Sequence, residues 1–215
     1  MKALALLTTA LLLPGAALAE GKLAQLYAPR PPAGSAFVRV LQPADGALQV
    51  QVGHNPAQRI EAGSQASAYN VVKGGEPFKV VIAGKPAGTL TVAADSYQSL
   101  VLHEGKLQVL DDSAASDDAL KAELRFYNLA SDCPTGKLQV EGGPTLFAQV
   151  TTHTSQARAI NPVSATLSAG CSGIQAKALD LPPLQPGDHY ALFLTGSASQ
   201  PVLRGELSRT APYSR

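Results

Sequence analysis

The chain has 215 residues, 15% of them charged, and its 17 Lys and Arg residues nearly balance its 16 Asp and Glu residues. A protein that grips nucleic acid, an anionic membrane or an acidic polysaccharide along its length would show a basic excess or a basic cluster, and this sequence shows neither. Frequent Gly and Pro among small apolar residues indicate compact β domains with many turns rather than a disordered chain or a helical bundle.

Residues 1–19 have the pattern of a secretory signal peptide. Lys2 gives a positive start, an apolar run follows, and Ala17-Leu18-Ala19 is a small-x-small cleavage site. The apolar run is too short for a stable transmembrane span, no second long run follows, and no Cys marks a lipoprotein. We therefore expect cleavage after Ala19, a periplasmic location and a mature chain without a membrane span.

The next part of the chain predicts a first β domain, residues 20–110. Its short alternating segments are bounded by turn residues, as in antiparallel sandwiches. They are residues 36–41, 47–52, 67–72, 78–82, 89–93, 97–104 and 106–110. In the first segment the alternation places Phe37 and Arg39 on one face, so we expect one face of this strand to be only partly buried.

Residues 111–119 predict a linker between two domains. The acidic and small residues there cannot bury much apolar surface, which favours a short interdomain spacer. One helical turn beginning near Ser116 is the alternative.

A second β domain, residues 120–215, follows the linker and contains both cysteines. Its predicted strands are residues 122–128, 138–140, 146–150, 156–160, 165–168, 175–179, 189–194 and 201–206. In an exported protein, a lone pair such as Cys133 and Cys171 within one small domain most often forms a disulfide. Closing that loop would stabilise the fold by about 4 kcal/mol. No CxxC or Cys/His pattern indicates a metal site instead.

The two domains repeat each other. Residues 46–53 recur as residues 136–143, and residues 64–72 recur as residues 155–163, with spacings that differ by one residue. Two matches in one register indicate a duplicated module of roughly 90 residues. The predicted fold class is therefore all-β, with two tandem antiparallel β-sandwich domains related by duplication and joined by a short linker.

The sequence carries no recognisable nucleophile motif. It has neither a Gly-x-Ser-x-Gly elbow nor the Gly-Asp-Ser and Asp-x-x-His blocks of SGNH esterases, since Gly187-Asp188 is followed by His189. Neighbours on a strand point to opposite faces, so Asp188 and His189 are poorly placed for an orienting hydrogen bond. We expect a turn that leads into a strand at this point and no catalytic residues.

No metal, cofactor or sugar site is predicted either. His54, His103, His153 and His189 are scattered, which favours ordinary loop histidines; a site shared by His54 and His153 at one end of both domains is the alternative. The glycine pairs fit hairpins or bulges rather than a phosphate loop. No Trp is present to stack on a sugar ring, and Tyr69 faces Ile160 in the repeat, which indicates a packing position.

The whole layout resembles a known family. After the signal peptide come Leu26-Tyr27-Ala28-Pro29 and a Pro-rich entry, then residues 32–40, and later Leu124-Arg125-Phe126-Tyr127-Asn128. This layout is similar to the AlgF-like family of periplasmic alginate O-acetylation proteins and its relatives in acetylated-cellulose operons. The resemblance covers nearly all of the mature chain. It implies two β-sandwich domains without known catalytic residues, beside a membrane-bound O-acyltransferase and periplasmic SGNH-type acetyltransferase proteins.

Together these observations predict a periplasmic accessory or adaptor protein, not an enzyme, that is required for O-acetylation of an exopolysaccharide. Alginate is the preferred polymer. The alternatives are an equivalent subunit for cellulose O-acetylation, an acetyltransferase with an unrecognised nucleophile, and a polysaccharide-binding module.

Two segments outside the strands are candidate docking sites for the expected partners. The expected partners are the acetyl-transfer proteins and the exopolysaccharide, and nucleic acid is excluded. A basic partner surface would be complementary to the acidic patch of Asp111, Asp112, Asp117 and Asp118. The Pro-rich entry, residues 29–34, is the second candidate because loop segments are free to meet another protein.

Overall fold

The computed structural model describes residues 30–213, within which Pro31–Ala211 form one compact unit. The described residues form strands and no helix, so none of them contributes a helix long and apolar enough to cross a bilayer. The predicted signal peptide lies outside the described residues. The first eight strands are β1 (Ser35–Leu41), β2 (Leu48–Val52), β3 (Gln58–Ile60), β4 (Asn70–Lys73), β5 (Phe78–Ile82), β6 (Lys85–Leu90), β7 (Tyr97–His103) and β8 (Lys106–Asp111). The others are β9 (Ala122–Asn128), β10 (Thr135–Val140), β11 (Thr145–Thr151), β12 (Thr154–Ile160), β13 (Thr166–Cys171), β14 (Ile174–Gln175), β15 (Leu179–Asp180), β16 (His189–Gly196) and β17 (Pro201–Leu207).

Each half of the chain folds into two facing sheets. In the first sandwich (β1–β8), the β1 sheet has the order β4-β1-β7-β8 and the opposite sheet has the order β3-β2-β5-β6. In the second sandwich (β9–β17), the β9 sheet has the order β12-β9-β16-β17 and the opposite sheet β11-β10-β13-β14, with β15 also paired to β13. The two halves have the same strand order, and β15 is an additional strand of the second. The prediction of an all-β fold with tandem, duplicated sandwiches is confirmed.

The sheets are not purely antiparallel, which the sequence prediction had wrong. β1 pairs in parallel with β7, where Phe37 lies opposite Tyr97, and β9 pairs in parallel with β16, where Glu123 lies opposite His189. Parallel neighbours need a long connection, and here all the intervening strands of the sandwich supply it. Alternation within a segment does not reveal the direction of its neighbour, so this feature is not visible in the sequence.

The strand pairing also corrects the repeat alignment. The first sequence match makes β2 and β10 equivalent strands, and the sheet topology agrees. The second match aligns Val71 with Pro162. In the structure Val71 lies opposite Phe37, and Ala159 lies opposite Glu123 at the equivalent position of the second sandwich. The equivalent residues are therefore Val71 and Ala159.

Most predicted strands are present, with local exceptions. The short strand β3 was not predicted, and predicted strand 175–179 is divided into β14 and β15. Strand β6 begins at Lys85, before the start predicted at residue 89, because Ala83 and Gly84 form a two-residue turn with φ of 49° and 74°. Positive φ at both positions is typical of the type I′ hairpin, for which Ala-Gly is a weak sequence signal. The helical turn considered after Ser116 does not form.

Three apolar clusters hold these sheets together. One fills the first sandwich and includes Val38, Val80 and Leu100, and another fills the second sandwich and includes Phe126 and Leu192. The third lies between the outward faces of the β1 and β9 sheets and contains Leu41, Val101, Leu110, Tyr127, Leu129, Ala191 and Phe193. The sandwiches therefore share a buried interface, and the boundary between them at residues 111–119 stays a prediction.

The predicted disulfide is confirmed. Cys133 and Cys171 are bonded, with their Cα atoms 5.6 Å apart, and both are buried in the core of the second sandwich. The bond ties the segment after β9 to the end of β13.

Candidate functional site

The interface between the sandwiches buries two arginines that alternation alone would place at the surface. Arg39 on β1 and Arg125 on β9 point outward from their own sandwiches, yet they are only 1% and 7% exposed because the two outward faces pack on each other. On the β1 face that was expected to be partly buried, Phe37 is half-buried and Arg39 is covered. Burying a charge is costly unless it is paired and hydrogen-bonded, so the surroundings of these arginines define the candidate site.

Asp112 is the centre of this cluster. Its Oδ2 accepts hydrogen bonds from the Tyr69 hydroxyl at 2.6 Å and from the Ser99 hydroxyl, and its Oδ1 accepts one from the Tyr127 hydroxyl at 2.5 Å. Arg39 Nε lies 3.7 Å from Oδ2, and Arg125 Nε lies 3.9 Å from Oδ1. Since these partners come from both sandwiches, Asp112 joins them.

Arg39 uses its guanidinium on both sides of the interface. Its Nε donates to the Ser99 hydroxyl at 2.8 Å, Nη2 to the Tyr127 hydroxyl at 2.7 Å and Nη1 to the Ser208 hydroxyl at 3.0 Å. Its Cζ lies 4.5 Å from the centre of the Tyr69 ring, a cation–π distance. Arg39 is thus fixed in place by strands of both sandwiches.

Arg125 and Glu123 form the second half of the charged cluster. Arg125 Nη2 lies 3.1 Å from Glu123 Oε1 and also donates to the Ser113 carbonyl, while Nη1 donates to the Asp111 carbonyl at 3.3 Å. Glu123 Oε2 accepts the Ala115 backbone N–H at 2.7 Å. The segment after β8 is therefore anchored to β9 by these contacts.

Burial and charge shift the pKa values of these groups. Burial raises the pKa of Tyr69 and of Tyr127 well above the usual value, so both stay protonated and donate to Asp112. Burial by itself lowers the pKa of Arg39, but the oxygens of Tyr127, Tyr69 and Asp112 raise it above its usual value. Burial by itself raises the pKa of Glu123, but hydrogen bonds from His189 and Ala115 and the Arg125 charge lower it.

A cavity of about 250 Å³ opens beside the cluster, between the two sandwiches. Arg39, Asp112, Glu123, Arg125 and Arg209 form its charged lining, and its other lining residues are Tyr69, Tyr97, Ala114, His189, Tyr190, Ser208 and Thr210. Tyr97 stacks on Phe37 with ring centres 4.4 Å apart. Aromatic, hydroxyl and cationic groups thus meet in a single cavity.

His189 lies at this cavity because the parallel pairing places it opposite Glu123. Its Nδ1 is 3.5 Å from Glu123 Oε1, and its side chain is 54% exposed. Ser208 follows β17, and its backbone N–H donates to the His189 carbonyl at 2.8 Å. No hydrogen bond links the His189 and Ser208 side chains in the described structure.

Asp112, one of the four aspartates predicted to form an acidic patch, is buried at the interface between the sandwiches. It is 6% exposed and engaged in the buried cluster, so it is not available to a partner's surface. Asp111, Asp117 and Asp118 are exposed, and their role in docking stays a prediction. The Pro-rich entry begins outside the described residues, and its docking role also stays a prediction.

The site shared by His54 and His153, which the sequence offered only as an alternative to ordinary loop histidines, does not form among the described residues. His153 contacts His103, with ring centres 3.9 Å apart, rather than sharing a site with His54. Burial, and next the neighbouring His103, lower the pKa of His153. Among residues 30–213 no group of three or more His, Cys, Asp or Glu side chains is placed to hold a metal ion.

The buried cluster itself was missed from the sequence. Its visible signal is a charged residue in the middle of an apolar strand, Arg39 in β1 and Arg125 in β9, at equivalent places in the repeat. A strand that is buried on both faces tolerates such a residue only with partners. Those partners, Asp112 and the tyrosines, are far away in sequence and could not be named.

Comparison with known proteins decides the family. The sequence profile described as "Alginate O-acetyl transferase AlgF" matches residues 8–187. The chain belongs to the AlgF family. AlgF relatives named alginate biosynthesis protein AlgF occur in Pseudomonas putida strain KT2440 and in Azotobacter vinelandii. Each is 29% identical over 179 residues, which cover 82% of this chain and 80% of the relative.

A solved structure of the AlgF C-terminal domain from P. aeruginosa is also similar. It is 25% identical and covers 41% of this chain and 98% of that domain, with a TM-score of 0.36. The family assignment rests on the sequence match.

Proposed function

We propose that this protein is a periplasmic accessory protein for O-acetylation of an exopolysaccharide, with alginate as the polymer. It positions the proteins that donate and accept acetyl groups and forms no acyl intermediate itself. The observation that carries this proposal is membership of the AlgF family over residues 8–187, together with relatives named for alginate biosynthesis.

The buried cluster supports a positioning role. The Ser99 and Tyr127 hydroxyls donate to Asp112, and the Ser208 hydroxyl accepts from Arg39, so these hydroxyls are used in the buried cluster at the interface. Such a network fixes the two sandwiches relative to each other. A rigid body with two separate outer surfaces suits a protein that holds two partners at a set distance.

One observation favours a second candidate, an acetyltransferase. Glu123, His189 and Ser208 line the same cavity, and this is the acid, base and hydroxyl set of nucleophilic catalysis. His189 contacts Glu123, as a base contacts its orienting acid, but it does not contact the Ser208 hydroxyl. The two candidates differ in whether the Ser208 hydroxyl and the His189 imidazole are needed.

The deciding experiment is gene deletion in the native host with complementation. We expect the deletion strain to secrete polymer that lacks acetyl esters, measured by proton NMR of the purified polysaccharide. Wild-type protein and the double variant Ser208→Ala/His189→Ala should both restore acetylation. A deletion that leaves acetylation unchanged would contradict the proposal. A folded, exported double variant that restores nothing would favour the acetyltransferase.

The expected partners can be tested on the same strain. We propose that the protein co-purifies with an SGNH-type acetyltransferase and with the membrane-bound O-acyltransferase. If the exposed acidic patch contributes to docking, replacing Asp111, Asp117 and Asp118 with Asn should slow association with the purified partners at low salt. Asp112 is left intact because it is buried. Unchanged association rates in the triple variant would remove the acidic patch from the proposal.

A further inference from the structure

Most sheet edges of this protein are protected against further pairing. A regular, open edge strand is a template for another chain, so proteins shorten, kink or cover such edges. Edge strands β3 and β4 have three and four residues, and β14 and β15 have two each. Edge strand β6 contains Pro86, and the registers of β6 with β5 and of β11 with β10 are broken by shifts. Edge strand β17 begins with Pro201, and its Glu206 accepts the Gln65 N–H of a neighbouring loop.

The edges of β8 and β12 lack these protections. β8 has six residues and pairs with β7 in unbroken register, and β12 has seven residues and pairs with β9 in the same way. Neither strand contains Pro or Gly. Both strands line one open groove of about 530 Å³, the β8–β12 groove. Two unprotected edges therefore meet at a single place on the surface.

The backbone of β8 has hydrogen-bonding groups that point away from β7. The Asp112 N–H donates to the Tyr97 carbonyl at 2.9 Å, and in an antiparallel pair every second residue bonds to the same neighbour. The residues that alternate with these, Leu107, Val109 and Asp111, therefore direct their N–H groups outward. We call these three groups the outward amides of β8. Among residues 30–213 they form no backbone–backbone hydrogen bond.

The side chains around the groove leave room for a strand beside β8. The β12 side chains that line the groove on the side of Tyr127 and Arg125 are small, Ser155 and Ala157. Gln108 Nε2 donates to the carbonyl of the residue before β12 at 3.0 Å, which fixes the spacing of the two walls. Val109 is 41% exposed on the other face of β8. A strand added to β8 would cover this apolar side chain.

The two ends of β8 differ in charge. Asp111 is exposed; its Oδ1 accepts hydrogen bonds from Ser113, whereas its Oδ2 accepts none from residues 30–213. Asp117 and Asp118 are also exposed and follow in the same segment, while Lys106 is exposed at the other end of the strand. Opposite charges on adjacent strands stabilise the pair, and like charges destabilise it. A bound strand is therefore complementary when a Lys or Arg lies beside Asp111.

We infer that β8 accepts an added strand from a partner protein. The strand extends the β1 sheet and pairs with the outward amides of β8, as in other cases of strand addition. One of its faces covers Val109 with apolar side chains, the other faces Ser155 and Ala157 in the groove, and a Lys or Arg lies beside Asp111. The nature of the partner, an acetyl-transfer protein, rests on the proposed function. The inference adds the surface and the mode by which this partner is held.

Hydrogen exchange measured by NMR tests strand addition directly. The probe is the purified SGNH-type acetyltransferase, added to the purified mature protein. We expect the exchange of the outward amides of β8 to slow at least about tenfold in the complex. The β17 edge is the internal control. There the Ser208 N–H donates to the His189 carbonyl, so the amides of Gly205 and Leu207 point outward and should keep their exchange rates.

Substitutions on β8 test the same edge. Val109→Pro removes one outward N–H but none of the bonds to β7, so the fold should be retained, and binding measured by calorimetry should weaken about tenfold. Val109→Ala keeps the N–H and should weaken binding less. Asp111→Lys should weaken binding about tenfold because it places a like charge beside the basic residue of the partner. Glu61→Lys is the matched control, since Glu61 is exposed and follows β3, at the far end of the opposite sheet from β6.

Three outcomes would contradict strand addition. A complex in which the outward amides of β8 exchange as fast as in the free protein refutes this docking site, and so does an affinity that neither Val109→Pro nor Asp111→Lys changes. Slower exchange of the same amides at rising protein concentration without the acetyltransferase would assign the edge to a second copy of this chain instead. Should Val109→Pro unfold, the exchange experiment on the wild type still decides. Acetylation in the deletion strain judges the accessory role separately, so these outcomes refute this inference alone.

Discussion

Replacing Asp112 with Asn should be among the most destabilising isosteric substitutions in this protein. The substitution preserves shape but removes the negative charge that faces Arg39 and Arg125 across the interface. Glu123 still faces Arg125, but Arg39 loses the carboxylate that pairs with its guanidinium. The three hydroxyl groups that donate to Asp112 would also lose a charged acceptor.

The expected cost follows from these contacts. Breaking a buried ion pair by removing one partner costs about 3–5 kcal/mol, because an uncompensated charge stays buried. That is a large part of the roughly 5–15 kcal/mol by which a typical domain is stable. Urea unfolding followed by circular dichroism measures the loss, and the spectroscopy does not rely on Trp, which the chain lacks.

The neighbouring Asp111→Asn is the matched control. It makes the same chemical change at an exposed position, so we expect a loss within about 0.5 kcal/mol. A double-mutant cycle with Arg39→Met should show that Asp112→Asn costs less once the guanidinium is gone. If Asp112→Asn and Asp111→Asn lowered the free energy of unfolding equally, the reasoning about the buried cluster would be refuted.

Three further predictions concern the disulfide and two titrating groups. Replacing Cys133 and Cys171 with Ser should lower the free energy of unfolding by about 4 kcal/mol, measured by urea unfolding, and a reductant should reproduce the loss in the wild type but not in the variant. The pKa of Glu123 is below its usual value because hydrogen bonds and a neighbouring guanidinium outweigh burial. Its stabilisation is therefore complete above the unfolded pKa and is lost as the pH falls through the lower folded pKa, so Glu123→Gln should flatten the acid side of the stability profile; an unchanged acid slope would contradict this. His103→Ala should raise the pKa of His153 in an NMR titration while leaving it below the usual value, because burial lowers it as well; an unmoved pKa would show that the imidazole pair is not coupled.

Local signals in the sequence were enough to predict most of the strands. Alternating apolar residues between Gly, Pro and Asp turns marked β1 and β9, and the same pattern marked the hairpins. The signals failed at the turn of Ala83 and Gly84, because Ala-Gly is a weak sequence signal for such a turn. They also failed at β3 (Gln58–Ile60), which is too short to show alternation.

The site was harder to predict because it belongs to neither sandwich alone. Within β1, Arg39 has the spacing of a solvent-facing residue, and only the packing of the second sandwich buries it. Asp112 stands in a run of acidic residues whose other described members are exposed, so composition predicted a solvated spacer there. His189 and Glu123 are neighbours only through a parallel pairing that local patterns do not encode.

The parallel pairs also set a kinetic constraint on folding. Phe37 in the first strand cannot find its neighbour Tyr97 until β7 is available, and Glu123 depends in the same way on His189. Contacts between residues far apart in sequence slow folding, because the entropy of closing the chain is lost before the contact forms. A chain that emerges residue by residue therefore leaves β1 and β9 without their central neighbour until each sandwich is nearly whole. During that interval their apolar edges are open to pairing with other chains, so delayed closure is the stage at which we expect this protein to be most prone to aggregation.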